Sequence, residues 1–378
     1  MSASSLSASF KSDAFPFVDE FGPAKIVYAS TPGVGLEAIV VIDNIAAGPA
    51  IGGVRMAPDV GVEECFRLAR AMTLKNAACG LRHGGGKSVI FGDPAMPRQE
   101  KEQLIRAFAK AIEPLTDYIP GPDMGTNETC MAYVHDEIGR AVGLPAELGG
   151  VPLDEIGATG YGVAIAAEAA APSAGLKLQG ARVVVEGFGA VGRHAARFLS
   201  RKGAILVGAS DSRGAIYDAA GLDIEALAQI RSEGRSVASH PRGEALAPDA
   251  LLAAPCDIFI PAARPDVLRA DNVGGLQCKL VVQGANIPAT AEAERIMFER
   301  GILSAPDFIA NAGGVICASV EYAGGDEKAA FAAIEEKISR NMREIIARAS
   351  AMRVSLRDAA TALVQERLRK MMATQRWR

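Results

Sequence analysis

Two lysines and one aspartate are the residues of this chain best suited to acid–base chemistry. Lys75 is predicted to lie on a helix, and Lys87 follows three consecutive glycines twelve residues later. A lysine that is partly desolvated beside another cation has a lowered pKa, so one amine of such a pair can act as a base. The other amine stays charged and can hold a carboxylate. Asp123, in the segment PGPDMGT, can supply a carboxylate for proton transfer.

The glycines before Lys87 predict a loop in which the backbone approaches a ligand closely. For Lys75 alone, a solvated surface position would be the more frequent role of a lysine. The segment is not a phosphate-binding P-loop, because the GxxxxGK[ST] pattern requires glycine at position 81, which is Leu81. The order of elements is also reversed, since a predicted helix precedes the glycines and a strand follows them.

A second motif predicts a dinucleotide site. Gly187-Phe188-Gly189-Ala190-Val191-Gly192 matches GxGxxG, follows the apolar strand RVVVE and opens a helical segment. This arrangement places a pyrophosphate on the N–H groups of a helix N-terminus. Asp211, 19 residues after Gly192, is predicted to accept hydrogen bonds from the adenosine ribose, which favours NAD. Arg213 leaves NADP open, because it could pair with a 2′-phosphate.

The composition indicates a globular protein with a large core. Of its 378 residues, 49% are hydrophobic and 22% are charged. The net charge of −4 provides no positive field for nucleic acid or anionic lipid, and no uncharged stretch reaches the roughly 18 residues of a membrane span. The first residues lack a signal-peptide pattern, so a cytoplasmic location is expected. The six cysteines and four histidines are dispersed, and no metal site is predicted.

Short β-rich segments alternate with amphipathic helices from residue 36 onward, which predicts an α/β protein with a parallel sheet covered on both faces. Thr126 and Asn127 are candidate N-caps, and the Gly- and Pro-rich segment 144–162 predicts a linker between domains. The predicted strands are 36–43, 88–94, 182–188, 204–211, 257–263, 279–286 and 301–307; the predicted helices include 62–79, 98–113 and the region from Gly325 to Trp377.

Seven sequence blocks, in order, resemble the glutamate/leucine/phenylalanine/valine dehydrogenases, which interconvert an L-amino acid with its 2-oxo acid and ammonia using NAD(P). The blocks lie at 48–56, 69–94, 122–126, 158–163, 186–192, 283–290 and 304–315. The resemblance implies a substrate-binding and catalytic α/β domain (1–143) and a Rossmann domain (144–340). It also implies C-terminal helices (341–378) that return to the first domain, and a homo-oligomer.

The resemblance also implies roles for individual residues. Lys75, helped by the backbone of Gly52, would hold the substrate α-carboxylate. Lys87 would activate water for attack on the imine and stabilise the carbinolamine, and Asp123 would take and return the amine proton.

Two further residues are implied to lie near the nicotinamide. Thr159 matches a threonine that contacts the nicotinamide amide, and Asn286 matches an asparagine near both nicotinamide and substrate. Hydride would pass directly from Cα to the cofactor in a cleft whose closure excludes water.

The substrate side chain is predicted to be apolar. Glutamate-specific members of the family have a lysine and a serine at the positions that correspond to Ile51 and Ala318. A buried γ-carboxylate without those partners would cost several kcal/mol. Together with Val315 and Met72, these residues suit a branched or aromatic side chain, and glutamate is the alternative.

Two other classes of function stay open at this point. A 2-hydroxy-acid dehydrogenase would use the same dinucleotide site, although such enzymes commonly need a histidine–carboxylate pair. A catalytically silent nucleotide-binding protein would not need Lys75, Lys87 and Asp123.

Overall fold

The computed structural model describes residues 16–374, and within this range the strands form two sheets. The first sheet has the order β1-β2-β4-β3-β5; β1, β2 and β4 are antiparallel neighbours, and β4, β3 and β5 are parallel. Its strands and helices are β1 Lys25–Thr31, β2 Leu36–Asn44, β3 Ala50–Ala57, α1 Val62–Ala78, β4 Gly84–Phe91, α2 Arg98–Ile112, β5 Tyr118–Pro122 and α3 Glu128–Ile138.

Helices cover both faces of this first sheet. The β-branched strand β2 is buried on both sides, as the run of apolar residues predicts. Cys65 and Ala69 of α1 pack on one face, and α2 and α3 pack on the other. The predicted strand 36–43 and the helices 62–79 and 98–113 are confirmed within one residue at each end. Of the two candidate N-caps, Asn127 caps α3 by accepting a hydrogen bond from Cys130 N.

The three glycines before Lys87 lie inside strand β4, so the prediction of a loop is wrong. Close packing explains the glycines. A Cβ at Gly84 would lie 1.7 Å from the carbonyl oxygen of Asn44, and one at Gly85 would lie 2.1 Å from the backbone nitrogen of Thr73. The glycines therefore let α1 and β2 approach β4, and Lys87 projects from a rigid strand.

Gly84→Ala should lower the free energy of unfolding by about 3 kcal/mol, because backbone must move to accommodate the new methyl group. The matched control is Gly33→Ala, since no atom lies within 4 Å of a Cβ built there. Chemical denaturation of the two variants and the parent measures the difference. Equal midpoints for Gly84→Ala and Gly33→Ala would contradict the packing argument.

The second sheet has the order β12-β11-β10-β6-β7-β8-β9. The five neighbouring strands β12, β11, β10, β6 and β7 are parallel, whereas β8 and β9 are added antiparallel at one edge. The predicted parallel sheet is therefore mixed. Asp211 and Gly214 pair across a two-residue turn, which is too short for the crossover that a parallel neighbour needs. The strands are β6 Arg182–Glu186, β7 Ile205–Asp211, β8 Gly214–Tyr217, β9 Glu244–Leu246, β10 Ile258–Pro261, β11 Leu280–Val282 and β12 Leu303–Ala305.

Eight helices accompany this sheet among the described residues. They are α4 Ala158–Ala170, α5 Ala190–Arg201, α6 Ile224–Ser232, α7 Ala291–Glu299, α8 Asp307–Ala310, α9 Gly313–Tyr322, α10 Glu327–Met352 and α11 Leu356–Ala373. Residues 158–162, predicted as linker, form the first turns of α4 instead. Gly160 permits this, because a Cβ there would lie 2.6 Å from His194 Cβ on α5.

The last helix returns to the first sheet. Arg367 of α11 donates a hydrogen bond of 2.6 Å to the carbonyl oxygen of Ala78, at the end of α1. This arrangement is the predicted α/β fold with a dinucleotide-binding sheet and returning C-terminal helices. Residues 1–15 and the end of the predicted C-terminal helix at Trp377 lie outside the described residues. Between residues 16 and 374, no helix has the length and apolar character needed to cross a bilayer.

Candidate active site

Lys87 and Asp123 form an ion pair between Nζ and Oδ2. Arg55 Nε also donates to Asp123 Oδ2, at 3.2 Å. The three side chains come from β4, from the turn after β5, and from β3, which lies between those strands. Gly53 leaves room for them, because a Cβ there would lie 2.8 Å from Asp123 Cβ and 3.1 Å from Lys87 Nζ.

The turn that carries Asp123 is fastened to β3. Thr126 Oγ1 donates to the carbonyl oxygen of Val54 at 2.8 Å and accepts from Asp123 N at 3.0 Å. Burial alone would raise the pKa of Asp123, but the charges of Lys87 and Arg55 hold that pKa below its ordinary value. Asp123 is therefore a carboxylate at neutral pH and can accept a proton or a hydrogen bond.

Lys75 reaches from α1 to the second sheet. Its Nζ donates to Asn286 Oδ1 at 3.2 Å, and Asn311 Nδ2 donates to the same oxygen at 3.2 Å. Burial lowers the pKa of Lys75 below its usual value, and the negative charge of Asp307 opposes that effect. Lys87, which is expected from the sequence to be the base, is ion-paired with Asp123.

An apolar cluster lies beside these charged groups. Ile51 of β3 packs with Ala318 of α9, and Met72 and Val315 contact the same cluster. Ile51 is two residues from Gly53, so the cluster adjoins the Lys87–Asp123 pair. The four residues that sequence reasoning grouped as a side-chain pocket are therefore brought together.

The glycine motif has the geometry that a pyrophosphate requires. Gly187 has a φ of 91° and lies against Ala263, and a Cβ at Gly192 would lie 2.2 Å from the carbonyl oxygen of Gly187. A Cβ at Gly189, in contrast, would meet no atom within 4 Å. The first and third glycines are needed for packing, and the second leaves the backbone open at the N-terminus of α5, whose first turn is Ala190–Gly192.

A cavity of about 480 Å³ adjoins this turn. Its lining includes Gly187, Gly189, Asp211, Arg231, Ala262 and Arg264. The glycine turn and the cavity together fit the predicted cofactor.

Asp211 has partners that the sequence did not reveal. Its Oδ1 accepts from Arg213 N and Ser236 Oγ, both at 2.9 Å. Its Oδ2 accepts from Val237 N at 2.9 Å and from Arg231 at 3.0 Å. A ribose hydroxyl would therefore meet a carboxylate that already accepts four hydrogen bonds. Binding of the ribose by Asp211 stays a prediction.

The N-terminus of α4 meets the N-terminus of α9 near the site. A Cβ at Gly314 would lie 2.8 Å from Thr159 Oγ1, and one at Gly313 would lie 1.9 Å from the carbonyl oxygen of Ala158. Thr159 on α4 thus lies against Gly314 of α9, the residue before Val315 of the apolar cluster.

Comparison with protein families identifies the chain. Residues 26–140 match the model of the Glu/Leu/Phe/Val dehydrogenase dimerisation domain, and residues 149–376 match that of the Glutamate/Leucine/Phenylalanine/Valine dehydrogenase. The chain belongs to the Glu/Leu/Phe/Val dehydrogenase family. It is therefore an NAD(P)-dependent amino acid dehydrogenase, and the 2-hydroxy-acid dehydrogenase and the silent nucleotide-binding protein are excluded.

Relatives of this dehydrogenase differ in the substrate that they are named for. It is 37% identical over 358 residues to the glutamate dehydrogenase of Aeropyrum pernix. The aligned region covers 88% of this chain and 85% of the relative. The hetero-hexameric glutamate dehydrogenase of Thermus thermophilus (Leu bound form) superposes with a TM-score of 0.84 at 32% identity over 92% of this chain and 89% of that one. L-tryptophan dehydrogenase from Nostoc punctiforme superposes with a TM-score of 0.73 at 26% identity, over 95% of this chain and 99% of that one.

Several residues of this dehydrogenase site were missed by sequence reasoning. Arg55 lies two residues after Gly53, and the period-two alternation of a strand places both on the same face of β3, which was a usable signal. Ile119 of β5 and Val142 complete the apolar cluster. Both residues are far from Ile51 in the sequence, so no local pattern grouped them with it.

Proposed function

We propose that this dehydrogenase acts on an L-amino acid with an apolar, branched or aromatic side chain and converts it reversibly to the 2-oxo acid and ammonia. The observation that carries this proposal is the apolar cluster around Ile51 and Ala318. Ile51 is 2% exposed and Ala318 is 6% exposed, and their neighbours in the cluster are Ile119, Val142, Met72 and Val315. None of these side chains can pair with a carboxylate.

Glutamate is the second candidate, because the relative from Aeropyrum pernix is a glutamate dehydrogenase. Against it, a γ-carboxylate placed among these apolar side chains would lose its water without gaining a cation. The cost of such an unpaired buried charge is several kcal/mol. The similarity to the tryptophan dehydrogenase of Nostoc punctiforme supports an apolar side chain.

Lys75 is proposed to hold the α-carboxylate of the substrate. Its ammonium group is nearly buried, and its hydrogen bond to Asn286 leaves two further N–H groups to donate. Asn286 fixes the direction of the amine from the side of the second sheet. The backbone of Gly52, on β3 next to Ile51, is proposed to assist by lying along the same carboxylate.

Lys87 and Asp123 are proposed to transfer protons to and from the attacking water and the substrate nitrogen. Once Asp123 Oδ2 has taken a proton from the substrate nitrogen, Lys87 Nζ no longer faces a negative charge, and burial then favours release of its own proton to solvent water as the cleft closes. The neutral amine of Lys87 can then deprotonate the water that attacks the imine carbon. Asp123 exchanges the proton of the substrate nitrogen, and Arg55 keeps the carboxylate oriented.

The cofactor is proposed to be NAD. Gly187, Gly189, Ala190, Val191 and Gly192 would hold its pyrophosphate, Asp211 would lie near the adenosine ribose, and Thr159 and Asn286 near the nicotinamide. Bound NAD would supply the acceptor for the hydride that leaves Cα. Arg231 and Arg264 line the cavity, and Arg231 lies beside Asp211, so NADP use would depend on these arginines rather than on Arg213.

The dehydrogenase is also proposed to be a homo-oligomer. Its residues 26–140 match a dimerisation domain, and the relative from Thermus thermophilus is hetero-hexameric. Strand β1 is an edge of the first sheet, and Tyr28 on it is 70% exposed, so this edge is suited to pair with a second copy.

Initial rates with a panel of 2-oxo acids, ammonia and either NADH or NADPH test the proposed function. We expect the oxo acids of leucine, valine, phenylalanine or tryptophan to exceed 2-oxoglutarate in kcat/KM by roughly 100-fold or more, as a several-kcal/mol penalty requires. Turnover without ammonia would refute deamination chemistry. A higher kcat/KM for 2-oxoglutarate would refute the apolar specificity and favour the second candidate.

A further inference from the structure

A buried group of polar side chains joins the last helix to the second sheet. Arg357, the second residue of α11, donates to Asp307 Oδ1 at 2.8 Å, to Gln283 Oε1 at 2.7 Å and to Glu294 Oε1 at 2.8 Å. Gln283 also donates to Ser304 Oγ at 3.0 Å. Asp307 and Glu294 each have side chains only 7% exposed, so Arg357 is the cation that compensates two buried carboxylates.

The other oxygen of Asp307 stabilises a strained turn. Asp307 Oδ2 accepts a hydrogen bond of 2.8 Å from the backbone nitrogen of Ile287. Ile287 has a φ of 49°, a left-handed conformation that is unfavourable for a β-branched residue. A turn of this kind persists only when its surroundings hold it in place. The residue before it is Asn286, which accepts the hydrogen bond from Lys75.

The same helix also contacts the element that carries Lys75. Arg367, ten residues after Arg357 on α11, donates to the carbonyl oxygen of Ala78 near the end of α1. Helix α11 is thus fastened at one end to the turn at Asn286 and at the other end to the helix of Lys75.

We propose that Arg357 and Asp307 are positioning residues, which hold the Asn286 turn and thereby orient the Lys75 ammonium toward the α-carboxylate of the substrate. This inference rests on the proposed function of Lys75. Neither residue contacts the reacting atoms. Their contribution is to fix the oxygen that Lys75 faces and to set the charge around it.

The electrostatic surroundings of Lys75 make the proposal testable. The groups that act on its amine are Asp307 on α8, Cys79 after α1, Lys87 on β4 and Asp123 after β5. Burial lowers the pKa of Lys75, and the charge of Asp307 is the largest influence that raises it. The ammonium form binds the carboxylate, so KM for the amino acid must rise with pH as Lys75 loses its proton.

The experiment compares the pH dependence of KM and kcat for the parent, Asp307→Asn and Arg357→Gln. Asp307→Asn removes a negative charge, so the rise in KM should begin roughly one pH unit lower than in the parent. Arg357→Gln removes a positive charge beside Asp307, so the rise should begin at a higher pH. The substrate titrates identically in all three assays, so the differences come from the protein. Affinity for NADH should change less than about threefold.

Two further variants separate positioning from general destabilisation. Arg348→Gln removes a comparably buried arginine that pairs with Glu366 between α10 and α11, and it should leave the profile unchanged. Arg357→Lys keeps the charge but not the forked donor geometry. It should keep the parent pH dependence while raising KM a few-fold. If Arg357→Gln does not fold, Arg357→Lys still tests the role of this arginine.

Hydrogen exchange at the Ile287 amide gives a readout that does not depend on activity. Both Asp307→Asn and Arg357→Gln should accelerate this exchange, and Arg348→Gln should not. Unchanged Ile287 exchange, or KM profiles that shift in the same direction for Asp307→Asn and Arg357→Gln, would overturn the inference. Absence of amino acid turnover in the parent, with Ile287 exchange still accelerated, would instead refute the proposed function and leave the role of Arg357 in the turn intact.

Discussion

Replacing Lys87 by methionine should lower kcat for amino acid deamination by roughly 10³-fold or more, the upper part of the range for loss of a general base. Methionine is an unbranched side chain one atom shorter than lysine, so it fits under Gly53 without movement of β3 and β4. What the variant lacks is the amine that deprotonates water and that pairs with Asp123. Steady-state kinetics with the preferred substrate measures the loss, and NADH fluorescence titration should give an unchanged dissociation constant.

The control for this variant is Lys110→Met, which removes another lysine paired with a carboxylate. Lys110 lies 3.3 Å from Glu137, and its side chain is 55% exposed. An exposed ion pair of this kind contributes little, so kcat should stay within about twofold of the parent. Near-parent turnover by Lys87→Met would remove the proton-transfer mechanism. Loss of NADH binding would show that the substitution disturbs more than the catalytic pair.

Much of the site could be predicted because its chemistry lies in short segments. Lys87 is carried by a conspicuous GGGK segment, and the glycine motif follows a recognisable strand. In the glycine motif the residues that act together are adjacent in sequence, and local periodicity sets the strand and the helix on either side of them. The predicted pocket of Ile51, Met72, Val315 and Ala318 came from the family resemblance rather than from periodicity. The structure brings those four residues together.

The conformation of the GGG segment could not be predicted from local pattern. Glycine is common in turns, so three consecutive glycines favoured the prediction of a loop. The structure uses Gly84 and Gly85 for the close approach of β2 and α1, which is a property of tertiary packing. The short strands β8 and β9 were missed for a related reason, because segments of four and three residues carry too little periodicity.

Charge distribution was the other feature that local sequence could not supply. The pairing of Asp123 with both Lys87 and Arg55 requires three neighbouring strands to be in register. The charge and the hydrogen bond that act on the Lys75 amine come from residues more than 200 positions away, Asp307 and Asn286. A lysine pair was therefore identifiable in the sequence, but the sequence did not show that both lysines are buried or which partner each amine has.

Introducing the two missing carboxylate partners should convert the substrate preference. In the double variant Ile51→Lys/Ala318→Ser, kcat/KM for glutamate should rise by roughly 100-fold or more, and kcat/KM for the preferred apolar substrate should fall by a similar factor. The reason is that a buried ion pair with a hydroxyl partner replaces an unpaired γ-carboxylate, a difference of about 3–5 kcal/mol. Each 1.36 kcal/mol corresponds to a factor of ten in kcat/KM. Parallel initial-rate measurements with both amino acids determine the ratio.

The matched control for this conversion is Ile51→Met, which keeps an apolar side chain of similar volume at the same buried position. It should alter the ranking among apolar substrates without creating glutamate activity. Lysine at position 51 without a bound carboxylate leaves a buried charge unpaired, so the double variant should also unfold at a lower temperature than the parent and regain stability when glutamate and NADH are added. A variant that is folded, binds NADH and still rejects glutamate would mean that the side chain of the substrate does not lie against Ile51 and Ala318. In that case another surface of the cleft would determine specificity.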